Sequence, residues 1–235
     1  MIYFAALSSS YQAVHIALCS FTTASDMLAP SIMSTAIVDK QGASKELIPT
    51  LQAILAEKSL SLEDLTFIAA NQGPAPFTTL RVVLSTLNGL NCAINMPLIG
   101  VDGLEAFIQE HHNDSTAYMP TVALLNAFNQ DLYFKVTDGK GYEAQGCLNH
   151  QNLFTMIATD PQLVNVPHVR FIGNGAAMYR DALTATFDNR AWLPNPLPHE
   201  VSIQQIATIG IYLWQQKKGI VQQLMPLYLK EIKVI

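Results

Sequence analysis

The side chains best suited to chemistry in this chain fall in two short stretches. One is the hydroxyl run Ser8, Ser9 and Ser10; the other is the turn Gly73-Pro74-Ala75-Pro76, with Thr78 just beyond it. The chemistry they suit is anion binding. Serine and threonine hydroxyls donate hydrogen bonds, and a turn that opens a helix aims that helix's unpaired N–H groups at whatever lies over the sheet edge. Gly73 supplies the backbone freedom such a turn needs, while a Cβ at Ala75 and Thr79 restricts close approach to the backbone and Pro76 removes one N–H donor. Serine is neutral and a poor Mg²⁺ ligand. The bland reading of Ser8 to Ser10, a serine-rich hairpin turn, therefore stands beside the binding one.

Other catalytic constellations fail. The histidines are His15, His111, His112, His150, His168 and His199, and none forms H-x-x-x-H or H-E-x-x-H, so no metal site is expected. His111-His112 sits beside Glu110 and Asp114 in a polar stretch that suits a solvated loop. No G-x-S-x-G or Cys-His arrangement stands out. Cys19, Cys92 and Cys147 are an odd number without metal spacing and suit buried free thiols in a reducing compartment.

The elements that position these residues can be read from periodicity. Leu65 to Ala70 is a short apolar run that suits an interior strand. Asn71 to Pro76 breaks it, and Pro76 suits the first turn of a helix. From Phe77, apolar residues at Leu80, Leu84, Leu87 and Leu90, with Val83 alongside, predict that helix. Ile2 to Leu7 and Val14 to Cys19 predict two strands across the Ser-rich turn, and Ser31 to Asp39 a third. Lys45 to Lys58 predicts an amphipathic helix with Leu47, Leu51, Ile54 and Leu55 on one face. The opening pattern recurs at Thr121 to Leu125 and Leu132 to Thr137, across the polar turn Asn126 to Asp131. Val169 to Ile172 then ends in Gly173-Asn174-Gly175 before a helix at Ala176 to Ala185, and Ile203 to Gln216 predicts a last helix. The strand pattern alone gives an α/β class in two similar halves.

Composition bounds the rest. The 235 residues are 50% hydrophobic, enough for a sizeable core, and only 13% charged, about half the usual share. So little charge suits either an apolar patch covered by a partner or a compact surface rich in Ser, Thr, Asn and Gln. Net charge is −5 and Lys217-Lys218 is the nearest approach to a basic run, so direct nucleic-acid binding by this chain is not expected. The first basic residue is Lys40, which argues against a signal peptide. The charge-free stretch Val82 to Val101 is interrupted by Ser, Thr, Gly, Asn and Pro, so no membrane span is expected there.

GPAPFTTLR, Gly73 to Arg81, resembles the GPGSFTGLR signature of the bacterial TsaB (YeaZ) family. Further segments resemble that family in the same order: Met1 to Leu18, Leu47 to Leu55, PLIGVD from Pro97, Val122 to Phe134, and MPLYLK from Met225 to Lys230. The match is good over the first half and loose from about Gly139 to Leu224. The resemblance implies a duplicated actin/Hsp70-like (ASKHA) fold with mixed sheets flanked by helices. Its N-terminal lobe would be residues 1–103 and its shorter, divergent C-terminal lobe 104–235.

In that superfamily the first turn of each half presents an acidic residue toward a nucleotide phosphate and its metal. Here Ser8 and Ser9 stand at the family's Asp-Thr positions, and Asn126 stands where the second half often has Asp. The resemblance therefore implies at most a degenerate nucleotide site, drawn from Ser8, Ser9, Gly73, Thr78, Asn126 and Gly173, and no resident cofactor. It also implies that the helix after Pro76 and the one before it form a homodimer face and the face that meets TsaD. Ser85, Gly89 and Ala93, spaced by four, share one side of that helix with Arg81. This stripe suits either that interface or packing against the chain's own neighbouring helix.

The function the resemblance implies is a non-catalytic, cytoplasmic scaffold in threonylcarbamoyl-adenosine (t6A) synthesis on tRNA. It would bind a TsaD-like catalytic subunit, help recruit a TsaE-like ATPase, form a homodimer when alone, and meet tRNA only through the complex. Two other classes remain open on the residues: a small-molecule kinase or nucleotide hydrolase on the same fold, and a self-associating structural protein with no t6A role.

Overall fold

The computed structural model describes residues 1–22, 29–112 and 119–229, with the side chain of His112 left aside. Asp114 and Lys230, which the sequence reading invoked, lie outside the described residues. The chain divides into two compact units, Met1–Ala106 with Ser202–Leu227, and Phe107–Val201 with Tyr228–Ile235.

The first unit begins with an antiparallel meander, β1 (Ile2–Ser9), β2 (Ala13–Phe21) and β3 (Ser31–Asp39). Ser10 turns the first corner: its hydroxyl accepts from the backbone N–H groups of Gln12 and Ala13, and its own N–H donates to the Ala13 carbonyl. Helix α1 (Ala43–Ala56) follows, then β4 (Phe67–Asn71), α2 (Phe77–Ile94), β5 (Leu98–Val101) and α3 (Gly103–His112). β4 runs parallel to β1 and β5 parallel to β4. One sheet face, through Ala5, Leu7, Ile16 and Leu18, packs into an apolar cluster with Leu47, Leu51, Leu55, Leu84 and Leu87 of α1 and α2. The buried faces of both helices carry leucine at helical spacing, so burial rather than intrinsic propensity fixes them.

The second unit repeats the connectivity. β6 (Thr121–Asn126), β7 (Asp131–Thr137) and β8 (Glu143–Asn149) form an antiparallel meander; α4 (His150–Thr159), β9 (Val169–Ile172), α5 (Asn174–Met178), α6 (Arg180–Phe187) and β10 (Ala191–Trp192) follow. β9 is parallel to β6, and β10 to β9. Its sheet order, β10-β9-β6-β7-β8, is that of β5-β4-β1-β2-β3 in the first unit. This is the duplicated ASKHA plan.

Two final elements, α7 (Ile203–Gln215) and β11 (Ile220–Val221), belong to the first unit although the chain order puts them after the second. α7 covers the remaining face of the first sheet. Trp214 stacks on Phe67 at 4.8 Å, and Phe67 on Phe4 at 4.6 Å. Gly210 permits the approach: a Cβ there would lie 2.4 Å from Ala69 Cβ. β11 extends the sheet antiparallel to β5.

Three local expectations are corrected. The helix expected over Ala176 to Ala185 is two helices, broken at Tyr179, whose ring stacks on His150 at 4.2 Å and whose backbone leaves helical geometry (φ −112°, ψ 28°). His111 and His112 end α3 rather than lying in a loop, and the His111 ring packs edge-on against Phe107. Pro76 is the residue before the first helical position of α2, not within it.

Candidate functional site

Ser8 is the penultimate residue of β1, and its hydroxyl accepts a hydrogen bond from Asn71 Nδ2 (3.1 Å) at the end of the neighbouring β4. The other end of the same amide, Asn71 Oδ1, accepts from the Gly73 backbone N–H (2.8 Å). Gly73 takes φ +113°, a conformation L side chains rarely adopt. Its carbonyl accepts from the Gly103 N–H (2.8 Å), and Gly103 itself has no room for a Cβ, which would fall 2.5 Å from Asn71 Oδ1. Asp102 Oδ1 accepts from the N–H groups of Leu104 and Glu105, capping α3. Ser8, Asn71, Gly73 and Gly103 thus satisfy one another, and the nearby carboxylate is engaged by helix N–H groups.

Ser9 is 4% exposed, and its hydroxyl has no hydrogen-bond partner among the described residues. Ala75 is buried in the apolar cluster under α1 and α2, and Thr79 is 5% exposed. The residues that replace glycine in this turn therefore point into the protein. Thr78 is exposed on the first turn of α2.

The equivalent corner of the second unit is also pinned by an asparagine, through a different bond. Asn174 Oδ1 accepts from the Asn126 N–H (2.8 Å), so an asparagine beyond β9 pins the end of β6. Asn126 Oδ1 accepts from the Phe128 N–H (2.9 Å), folding the turn to β7. Phe128, Asn129 and Gln130 all have positive φ there. Gly173, at φ +103°, lies so close to β6 that a Cβ would fall 2.0 Å from the Leu124 carbonyl oxygen. Ser8, Ser9, Gly73 and Thr78 belong to the first unit; Asn126 and Gly173 belong to the second. Asn71 and Asn174, which hold the two corners, were absent from the sequence candidates. Asn71 at the last position of a buried strand, ahead of Gly-Pro, was the available signal.

Helix α2 shows its other face to solvent. Arg81, Ser85, Gly89 and Ala93 are all exposed, as is Phe77, 48% accessible, over whose ring the Arg81 guanidinium lies at 4.0 Å. A Cβ on Gly89 would meet nothing within 4 Å. The stripe therefore does not pack against a neighbouring helix of this chain among the described residues. Cys92 lies on the same helix and is exposed, correcting the expectation of a buried thiol. Cys19 is buried, and loss of solvent pushes its thiol up to about 12, which keeps it protonated and inert. Cys147 is half-buried.

Among the described residues, no group of three or more His, Cys, Asp or Glu side chains is placed to hold a metal ion, and no helix is long and apolar enough to cross a membrane.

Comparison with known proteins now bears on this arrangement. A family model described as "TsaD: tRNA N6-adenosine threonylcarbamoyltransferase" matches residues 38–212. A tRNA N6-adenosine threonylcarbamoyltransferase of Solidesulfovibrio magneticus is 37% identical over 81 residues, 34% of this chain and 22% of that protein. A tRNA threonylcarbamoyladenosine biosynthesis protein TsaB of Buchnera aphidicola subsp. Baizongia pistaciae is 21% identical over 189 residues, 79% of this chain and 82% of that one. The stretches matched in the first curated relatives span between 22% and 33% of those proteins' length. Among solved structures, an uncharacterized protein with similarity to peptidase YEAZ from Pseudomonas aeruginosa superposes with a TM-score of 0.71 at 20% identity, covering 98% of this chain and 100% of that one.

Proposed function

We propose that this chain, which belongs to the TsaD: tRNA N6-adenosine threonylcarbamoyltransferase family as a divergent TsaB (YeaZ) member, works in t6A biosynthesis as a non-catalytic scaffold for a TsaD-like subunit. The observation that carries this reading is the outward stripe of α2: Arg81 over Phe77, then Ser85, Gly89 and Ala93, with open space above Gly89. A glycine in the middle of an exposed helix costs about 1 kcal/mol relative to alanine. An unfilled position of that cost suits a surface that another helix approaches closely, backbone to backbone.

The corners support the same reading from the other side. Where a nucleotide-binding relative would present carboxylates, this chain has Ser8 and Asn126, and both are tied into hydrogen bonds with asparagines of their own unit. The catalytic work then falls to the TsaD-like partner, which carries out the threonylcarbamoyl transfer, while this chain stabilises it and helps form the surface that receives a TsaE-like ATPase. Alone, the same α2 stripe pairs two copies as a homodimer. With a net charge of −5 and no basic run, the chain meets tRNA only through the complex. The setting is the cytoplasm.

The test is co-purification of the chain with the TsaD-like subunit, followed by a t6A assay with and without the chain. Capture together with chain-dependent t6A formation is expected. No capture, or t6A formation indifferent to the chain, contradicts the proposal.

A further inference from the structure

The segment after α7 returns to α2 by an unusual route. The chain reverses at Lys217 (φ 53°) and Gly219 (φ +69°), adds the two residues of β11 to the sheet edge, and then runs without regular structure over the flank of α2. There, Asn88 and Gln72 hold it, three bonds through their side-chain amides and one through the Gln72 backbone carbonyl. Asn88 of α2 grips Leu224 at both backbone groups, accepting from its N–H at Oδ1 (2.8 Å) and donating Nδ2 to its carbonyl (3.0 Å). Gln72, just before Gly73, donates Nε2 to the Met225 carbonyl (2.7 Å), and its own carbonyl accepts from the Leu227 N–H (2.9 Å). Gln72 can reach because residue 100 is glycine: a Cβ there would fall 2.0 Å from Gln72 Oε1.

Only one side chain of this segment is deeply inserted. Leu224 is 1% exposed and joins the apolar cluster of α1 and α2, whereas Gln222 and Gln223 are exposed and Met225 is 58% accessible. One buried leucine and four hydrogen bonds, each of modest net worth, form a weak local attachment beside a helix bonded throughout its length. We propose that Leu224–Leu227 is a releasable latch on α2, clasped by the side chain of Asn88 and by the side chain and backbone carbonyl of Gln72, which opens as one unit while α7 and β11 stay on the sheet. Opening withdraws Leu224 from beneath α2 and frees the residue that leads into the Gly73 turn. The latch thereby couples the C-terminal segment to the helix whose outer stripe is offered above as the partner face. That consequence rests on the reading of α2, but the latch itself does not.

The experiment is amide hydrogen exchange on the full isolated chain, so it needs no partner and stands or falls apart from the scaffold role. In the wild type, the Leu224 and Leu227 amides should share one opening equilibrium, at least tenfold more populated than the one that exposes Ile211 in α7 or Ala6 in β1. Asn88→Ala removes bonds to Leu224 alone, yet it should speed exchange at Leu227 by at least tenfold too, leaving Ile211 and Ala6 unchanged. Gln72→Ala should do the same at Leu224 through the other clasp. Exchange of the two amides at the global rate, an effect confined to the residue that lost its partner, or loss of protection at Ala6 in both variants would each overturn the latch.

Discussion

The two corners at the ends of β1 and β6 share a connectivity and differ in what they lead to. In each, an asparagine ties the end of the first strand of its repeat to the turn after the fourth: Asn71 to Ser8 in one, Asn174 to Asn126 in the other. Beyond the first corner, α2 runs for 18 residues and keeps one side bare. Beyond the second, α5 lasts five residues before Tyr179 leaves helical geometry against His150. Ser8 and Asn126, at the ends of the two first strands, are both neutral, and the two repeats share a connectivity while the helix after the corner differs. The first repeat has kept a long presentable face and the second has not.

The glycines of the two repeats make the sharpest contrast. Gly173→Ala forces a methyl onto the Leu124 carbonyl at a φ that alanine resists. Adding the steric and backbone terms, it should destabilise the protein by about 3 kcal/mol or more, read as a lowered urea midpoint. A variant of wild-type stability would mean that the second corner is looser than its geometry indicates. Asn71→Ala leaves the Gly73 N–H without its acceptor and the Ser8 hydroxyl without its donor, a loss of about 1–3 kcal/mol on the same scale. Equal stability would show that Asn71 is not the pin of the first corner. Gly89→Ala reverses the sign: its methyl enters open space, so a gain of about 1 kcal/mol is expected and a loss would contradict an exposed α2 face.

Much of this was legible from local pattern. The strands of the first meander, β6 and β7, the Gly73 turn and α2 are each set by a few neighbouring residues of strong preference. β8 was not, because Glu143–Asn149 is an edge strand whose place comes from its ladder with β7 rather than from an apolar run. The break at Tyr179 depends on a ring stack with a residue 29 positions earlier (179 − 150). The return of Ser202–Leu227 to the first unit is likewise invisible locally, since it rests on Trp214 meeting Phe67 and on Gly210 meeting Ala69. At the site, the family resemblance implied that Ser8 and Asn126 stand where acidic residues are expected, but not that asparagines would bond to them. Cys92 was misplaced because a helix mostly apolar in composition still has an outer side.

The thiols give the mildest test of the two faces of the first unit. A disulfide reagent at neutral pH should label Cys92 at once and Cys19 only after unfolding. The sign of the pH effect follows from burial. The folded Cys19 thiol ionises near 12 against an ordinary value of 9.0, so folding favours the protonated form. Its contribution to stability is fully present below about pH 9 and is lost as pH rises from 9 toward 12, and Cys19→Ala should flatten that part of the alkaline decline. Rapid labelling of Cys19 in the folded chain would contradict its placement in the core.

The central claim is that the chain acts by offering the bare side of α2 to another subunit, and Gly89→Leu tests it most directly. A leucine there enters open space and should leave thermal stability at or above the wild-type value. Measured side by side for capture of the TsaD-like subunit and support of t6A formation, the wild type should do both and Gly89→Leu neither. A folded Gly89→Leu chain that captures its partner and supports t6A as the wild type does would contradict the account.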